Sequence, residues 1–142
     1  MTAQADDLPD RERVHMAGGW RIAHAFNSSL PGWLVLVPML HVTAFHELSV
    51  PEAEEFGLLA RQASIALQQV TGCEKTYLML FAEAEGFGHL HVHLVPRMPD
   101  FAADVRGPNV FAFLGDDEGR WLPADDQDAL ARRLRAALAL AR

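Results

Sequence analysis

Gly88-His89-Leu90-His91-Val92-His93-Leu94-Val95-Pro96-Arg97 alternates imidazole with aliphatic side chains through its first half. Three of the chain's seven histidines fall within these five positions. A period of two with apolar residues at every second place predicts a β-strand. On a strand, side chains i, i+2 and i+4 share one face at a spacing of roughly 6.5–7 Å per step. His89, His91 and His93 are therefore expected to project together, with Leu90, Val92 and Leu94 turned into the core. Three imidazoles in a row on one face point to chemistry rather than to packing.

Working upstream, Ala82–Gly88 reads as a loop and Thr76–Phe81, rich in β-formers, as a strand. Before it lies a punctuated helix. Ser49 is its N-cap, Pro51 sits in the first turn and Glu52 completes a capping box. Phe56, Leu59, Ala63, Ile65/Ala66 and Val70 recur on one face, and Gly72 after Thr71 suits the left-handed stop. Trp33–Val37 is an apolar strand ended by Pro38. The Asn27–Gly32 segment supplies turn residues, and Trp20–Phe26 is the other strand of a hairpin that follows the Gly18-Gly19 turn. His15 and His24 have no visible partner, so surface or edge positions are expected for both. Residues 1–12 lack periodicity and read as a mobile or loosely packed arm.

Downstream, Met98–Pro108 reads as a loop, and Asn109–Leu114 fits either a helical turn or a strand. Gly115–Gly119 is an acidic loop. Pro123–Arg142 is a helix with a Leu130/Leu134/Leu138 stripe. Asp125 and Asp126 at its start, and Arg132, Arg133, Arg135 and Arg142 later, complement the helix dipole. The order strand, strand, helix, strand, strand, then a C-terminal helix, predicts an α+β antiparallel sheet in a single domain over 13–142.

The 142 residues are half apolar and 22% charged, the balance of a globular chain with a real core. A formal charge of −7 argues against non-specific binding to nucleic acid or an anionic membrane. No apolar run reaches the ~18–20 residues of a membrane span, and the first dozen residues carry no signal-peptide core. The single cysteine, Cys73, reads as a small buried hydrophobe in a reducing compartment. A cytoplasmic location is expected.

Spacing alone leaves three readings of the histidines. Neutral imidazole, with an unperturbed pKa of roughly 6.5, is a good nucleophile toward phosphorus near neutrality. In that reading its second ring nitrogen needs a fixed acceptor, for which a backbone carbonyl would serve. Alternatively, two histidines at i, i+2 can share a Zn²⁺, with His41, His46, Glu83 or Glu85 as further ligands; His41 and His46 lack the H-E-x-x-H spacing. In the third, the row faces solvent or a subunit interface.

The motif His89-Leu90-His91-Val92-His93-Leu94-Val95 resembles the signature of the histidine triad family, His-φ-His-φ-His-φ-φ with φ apolar. Pro96-Arg97 follows as it often does there. Pro31-Gly32, the strand, and Pro38-x-x-His41 look like that family's second signature. The resemblance covers about residues 20–100 and leaves 101–142 as a C-terminal extension. It implies a metal-free, cofactor-free nucleotide hydrolase or nucleotidyl transferase acting at an α-phosphate, usually a homodimer. His91 would attack to form a nucleotidyl-histidine intermediate, and His89 and His93 would orient it and bind the phosphate or leaving group. Dinucleoside polyphosphates or nucleoside phosphoramidates would be its substrates, and a non-catalytic nucleotide-binding homodimer is the alternative. Asn27 falls near the family's ribose contact. Two departures stand out. Trp33 occupies a place where many members carry histidine, and Glu83–Gly88 lacks the usual Gln, Ser or Thr, leaving the N–H groups of Gly86 and Gly88 to meet an anion.

Overall fold

The computed structural model describes residues 7–141. Seven regular elements carry the fold: β1 (His15–Ala17), β2 (Trp20–His24), β3 (Leu34–Pro38), α1 (Val50–Thr71), β4 (Lys75–Met79), β5 (Val92–Arg97) and α2 (Ala124–Leu140). The strands form one antiparallel sheet in the order β1-β2-β3-β5-β4. The expected α+β architecture is observed, with the short edge strand β1 added before the Gly18-Gly19 turn.

The punctuation around α1 behaves as its chemistry requires. Glu52 N–H donates to Ser49 Oγ (3.2 Å) and Ser49 N–H to Glu52 Oε1 (2.9 Å), so two donors without helical partners are satisfied reciprocally. Gly72 closes the helix at φ 75°, a conformation that costs a glycine little. Leu59, Ala60, Ala63, Ala66 and Leu67 of α1 then cover one sheet face. Trp20, Ile22, Leu34, Leu36, Leu90, Val92 and Leu94 meet them there, joined by Ala131 and Leu134 of α2. The other face carries a smaller core of Ala25, Leu30, Trp33, Val95 and Val110, with Val35, Tyr77, Met79 and Phe111 packed against it.

Several expectations are corrected. The alternating stretch is only partly laddered: the hydrogen-bonded strand begins at Val92, and of the three histidines only His93 lies within it. The β3–β5 register pairs Leu36 with Val92 and so sets Leu90 opposite Pro38, which has no N–H to offer. Leu90 N–H donates instead to the Val42 carbonyl (2.8 Å). The alternation of faces survives nonetheless, because Leu90, Val92 and Leu94 are all buried.

Residues 7–12 of the expected loose arm are packed, while residues 1–6 lie outside the described residues. Asp10 takes Arg132 and Arg135 at 3.0 Å each, and Arg11 pairs with Asp128 at 3.0 Å. Arg132 and Arg135 of α2 thus hold the N-terminal segment, Arg135 also donating to the Arg13 carbonyl (2.8 Å), while Arg133 reaches the Val70 carbonyl of α1 (3.5 Å). Arg142 lies outside the described residues. The Leu130/Leu134/Leu138 stripe is centred on Leu134, with Ala131 and Gln127 equally buried beside it.

Residues 109–113 belong to a 3₁₀ segment, Gly107–Phe113, which resolves that choice toward helical turns, while Leu114 turns extended and forms a single β-bridge with Ser28. His24, expected at a surface or edge, is 2% exposed. Its Nδ1–H donates to the Ala25 carbonyl (2.9 Å) and its Nε2 accepts from Gly32 N–H (3.0 Å). Burial is tolerated because both ring nitrogens are satisfied in the neutral form. Desolvation pushes its pKa below that of free imidazole, partly offset by the Ala25 carbonyl.

Candidate active site

His89, His91 and His93 enter the centre of the sheet from the side of Pro38, and His41 joins them from the segment after β3. His91 is half-buried, and its Nδ1 lies 2.9 Å from the His89 carbonyl. A carbonyl can only accept, so Nδ1 carries a proton, and in the neutral ring Nε2 is the nitrogen with the lone pair. The acceptor required by the nucleophile reading is therefore the backbone of the histidine two places earlier.

His89 Nε2 lies 3.2 Å from the Pro38 carbonyl and its Nδ1 2.8 Å from His41 Nδ1. By the same logic His89 donates from Nε2 to Pro38, and the two Nδ1 atoms share one proton. The His41 and His89 rings stack with centroids 4.9 Å apart. His41, read in the sequence as the end of the Pro38-x-x-His41 signature and as a possible metal ligand, is thus a partner of the first triad histidine.

His93 is held differently. The Trp33 indole N–H donates to His93 Nδ1 (3.0 Å). His93 meets the Trp33 ring edge-on at 5.6 Å, Phe111 at 5.3 Å and His91 at 5.0 Å between centroids. Its strand partners are Val35 and Met79. Desolvation, and secondarily the charge of a protonated His91, pushes the His93 pKa down to about 4.

Other candidates lie apart from this row. Gly86 and Gly88 occupy the exposed Ala82–Gly88 loop, where Gly86 adopts φ 81°. Glu83, Glu85 and His46 are exposed. Asn27 is half-buried in the β2–β3 turn, where its carbonyl accepts from Gly115 N–H (3.1 Å). Among the described residues no three His, Cys, Asp or Glu side chains are grouped so as to hold a metal ion. Sequence reasoning missed the roles of Trp33 and Phe111. Trp33 carried a signal, since it begins the run Trp33, Val35, Val37 on alternate positions; Phe111 lies in a 3₁₀ segment with no period to read.

No family model matches the sequence, and no curated protein matches it. Solved structures do. A histidine triad protein from Marinobacter aquaeolei superimposes with TM-score 0.74 at 16% identity, over 94% of this chain and 92% of that one. A Hit-like protein involved in cell-cycle regulation from Bartonella henselae gives 0.71 at 17% identity, over 93% and 89%. The chain has the histidine triad fold. The diadenosine triphosphate hydrolase of Plasmodium falciparum shares it, with TM-score 0.69 at 12% identity over 94% of this chain and 80% of that one. These alignments span more than nine-tenths of the chain.

Proposed function

We propose that this chain is a histidine triad nucleotide hydrolase or nucleotidyl transferase that works through a covalent intermediate on His91. The observation that carries the reading is the His91 Nδ1–His89 carbonyl contact at 2.9 Å, which leaves Nε2 with a free lone pair. Nε2 attacks an α-phosphorus, the P–N bond forms, and the bond to the leaving group breaks with its electron pair going to the leaving atom. Water then adds to phosphorus, the P–N electron pair returns to Nε2, and the water proton is released with the nucleoside monophosphate. His93, and the N–H groups of Gly86 and Gly88, serve charge on the phosphate and leaving group; Asn27 serves the ribose.

The family resemblance supports two further parts of the reading. We place the chain in the cytoplasm, in keeping with its single buried Cys73; among the described residues no helix is long and apolar enough to cross a membrane. We also assign a homodimer, through the sheet edge formed by β4, where Leu78 is 50% exposed and Phe81 58%. The test of the mechanism is turnover of dinucleoside polyphosphates and nucleoside phosphoramidates by the wild type and by His91→Ala. Loss of at least about 10³-fold is expected for removal of a covalent nucleophile, together with an acid-quenched phosphorus adduct on His91 in the wild type alone. Equal turnover by the two proteins would overturn the assignment.

A further inference from the structure

We infer that Trp33 is a positioning residue that locks His93 as the neutral Nε2–H tautomer, so that the site favours leaving groups that depart without taking a proton. The inference deepens the hydrolase reading and, for its consequence on substrates, rests on it.

Indole N–H is a donor and never an acceptor. Its 3.0 Å contact therefore requires a lone pair on His93 Nδ1, which leaves the ring's one proton on Nε2. To become cationic, His93 would have to protonate the nitrogen that faces the indole N–H, and two donors would then oppose each other. The surroundings reinforce the lock. Trp33 is 0% exposed, and Phe111, Val35 and Met79 carry no charge that could stabilise an imidazolium. The titratable group facing His93 is His91, at 5.0 Å between ring centroids, and its protonation disfavours a second cation. Tyr77, from the same core, turns its hydroxyl to Gly107 N–H (3.1 Å). The depressed His93 pKa, about 4, follows from this burial.

A histidine at position 33 would behave otherwise, because imidazole can donate or accept and can itself take up charge. Tryptophan removes both freedoms. The chemical consequence lies in the first step. When P–O breaks toward a phosphate or other weakly basic oxyanion, the electron pair stays on oxygen and a hydrogen bond from neutral Nε2–H suffices. When P–N breaks toward an alkylamine, the nitrogen must gain a proton, and a neutral imidazole N–H is a poor general acid. The site is therefore matched to nucleoside polyphosphate-like anhydrides rather than to alkyl phosphoramidates.

The tautomer is read directly by ¹⁵N–¹H correlation of the histidine ring in the wild-type protein, between about pH 5.5 and 8. We expect pyridine-type Nδ1 and pyrrole-type Nε2 for His93 throughout. A pyrrole-type Nδ1, or a ring that turns cationic within that range, overturns the inference, and this measurement needs neither turnover nor a variant. Turnover supplies the second arm. Relative to a dinucleoside polyphosphate, hydrolysis of an alkyl phosphoramidate at about pH 6 should rise about tenfold or more in Trp33→His. A folded Trp33→His protein with the wild-type ratio refutes the substrate claim. If Trp33→His does not fold, the wild-type ratio decides: preference for the phosphoramidate counts against the claim. Wild-type protein inactive on both substrates, with the expected His93 spectrum, would sink the hydrolase reading and leave the tautomer lock standing.

Discussion

One buried and one half-buried histidine, His24 and His93, give the fold a defined weakness toward mild acid. His24 and His93 both have pKa values pulled below that of free imidazole, chiefly by burial, with His93 at about 4. In the unfolded chain both return to roughly 6.5. Between those limits the unfolded state binds more protons than the folded one, so stability is complete above about pH 6.5 and falls as pH drops. Each such histidine contributes a slope of about 1.4 kcal/mol per pH unit inside its window. For His93, going from pH 6.5 to 5 removes about 2 kcal/mol, a ceiling because the ring keeps some contact with solvent. His24 acts with the same sign. The carboxylates with lowered pKa values, Asp10, Glu47 and Glu52, start from 3.8 to 4.5 and therefore weaken the fold only at lower pH. The assay is urea unfolding followed by tryptophan fluorescence at constant ionic strength, at about pH 7.5, 6.5, 5.5 and 5. The wild type should lose roughly 2 kcal/mol across this range, against a typical total of about 5–15. His24→Asn, which can still donate to the Ala25 carbonyl, should be less stable at every pH but have a shallower slope. A flat profile for the wild type, or slopes unchanged in both His24→Asn and His93→Asn, would refute the reasoning.

Other perturbations probe the frame that holds the site. Leu134→Ala opens a cavity where α2 meets the core beside α1 and β2, and should lower stability by about 2–5 kcal/mol in chemical denaturation; a loss under 1 would mean that α2 is an appendage. Gly32→Ala places a Cβ 3.1 to 3.3 Å from Thr71, Pro96 and Leu67 at φ 91°, so thermal scanning should show a loss that exceeds the about 0.4–1 kcal/mol an unstrained Gly→Ala change would gain. Asp10→Ala frees Arg132 and Arg135 and should cost only roughly 1 kcal/mol, as a part-exposed ion network does, while making the bonds of residues 7–14 cleavable in limited proteolysis.

The period-two pattern, the capping box and the Pro-Gly turn were legible because each rests on chemistry local in sequence. The faces of Leu90, Val92 and Leu94 follow from backbone geometry alone. The end of the ladder at Val92 did not follow, because it depends on Pro38 lying opposite Leu90, a register that emerges only when β3 and β5 pair. The same limit hid β1, which has three residues and is defined by β2. It hid His24 as well: a histidine is burial-competent only if both nitrogens find partners, and Gly32, its acceptor's partner, is eight residues away across a turn. Asp10 looked like part of a polar arm because its arginines arrive from more than 120 positions later.

The triad itself shows how far identity falls short of role. His91 and His93 are two residues apart on one strand line, yet their partners demand opposite tautomers. A carbonyl beside His91 Nδ1 forces the proton there and bares Nε2; an indole N–H beside His93 Nδ1 forces the lone pair there and arms Nε2–H. In the neutral forms one ring is left to give an electron pair and the other to give a hydrogen bond. Neither partner can reverse its part, since a carbonyl cannot donate and an indole cannot accept. The arrangement is thus set before any ligand arrives, which is where preorganised sites gain over groups that must reorient. Had position 33 been histidine, the donor on His93 would be negotiable with pH, so a residue that departs from the expected pattern is the one that settles how the third imidazole behaves.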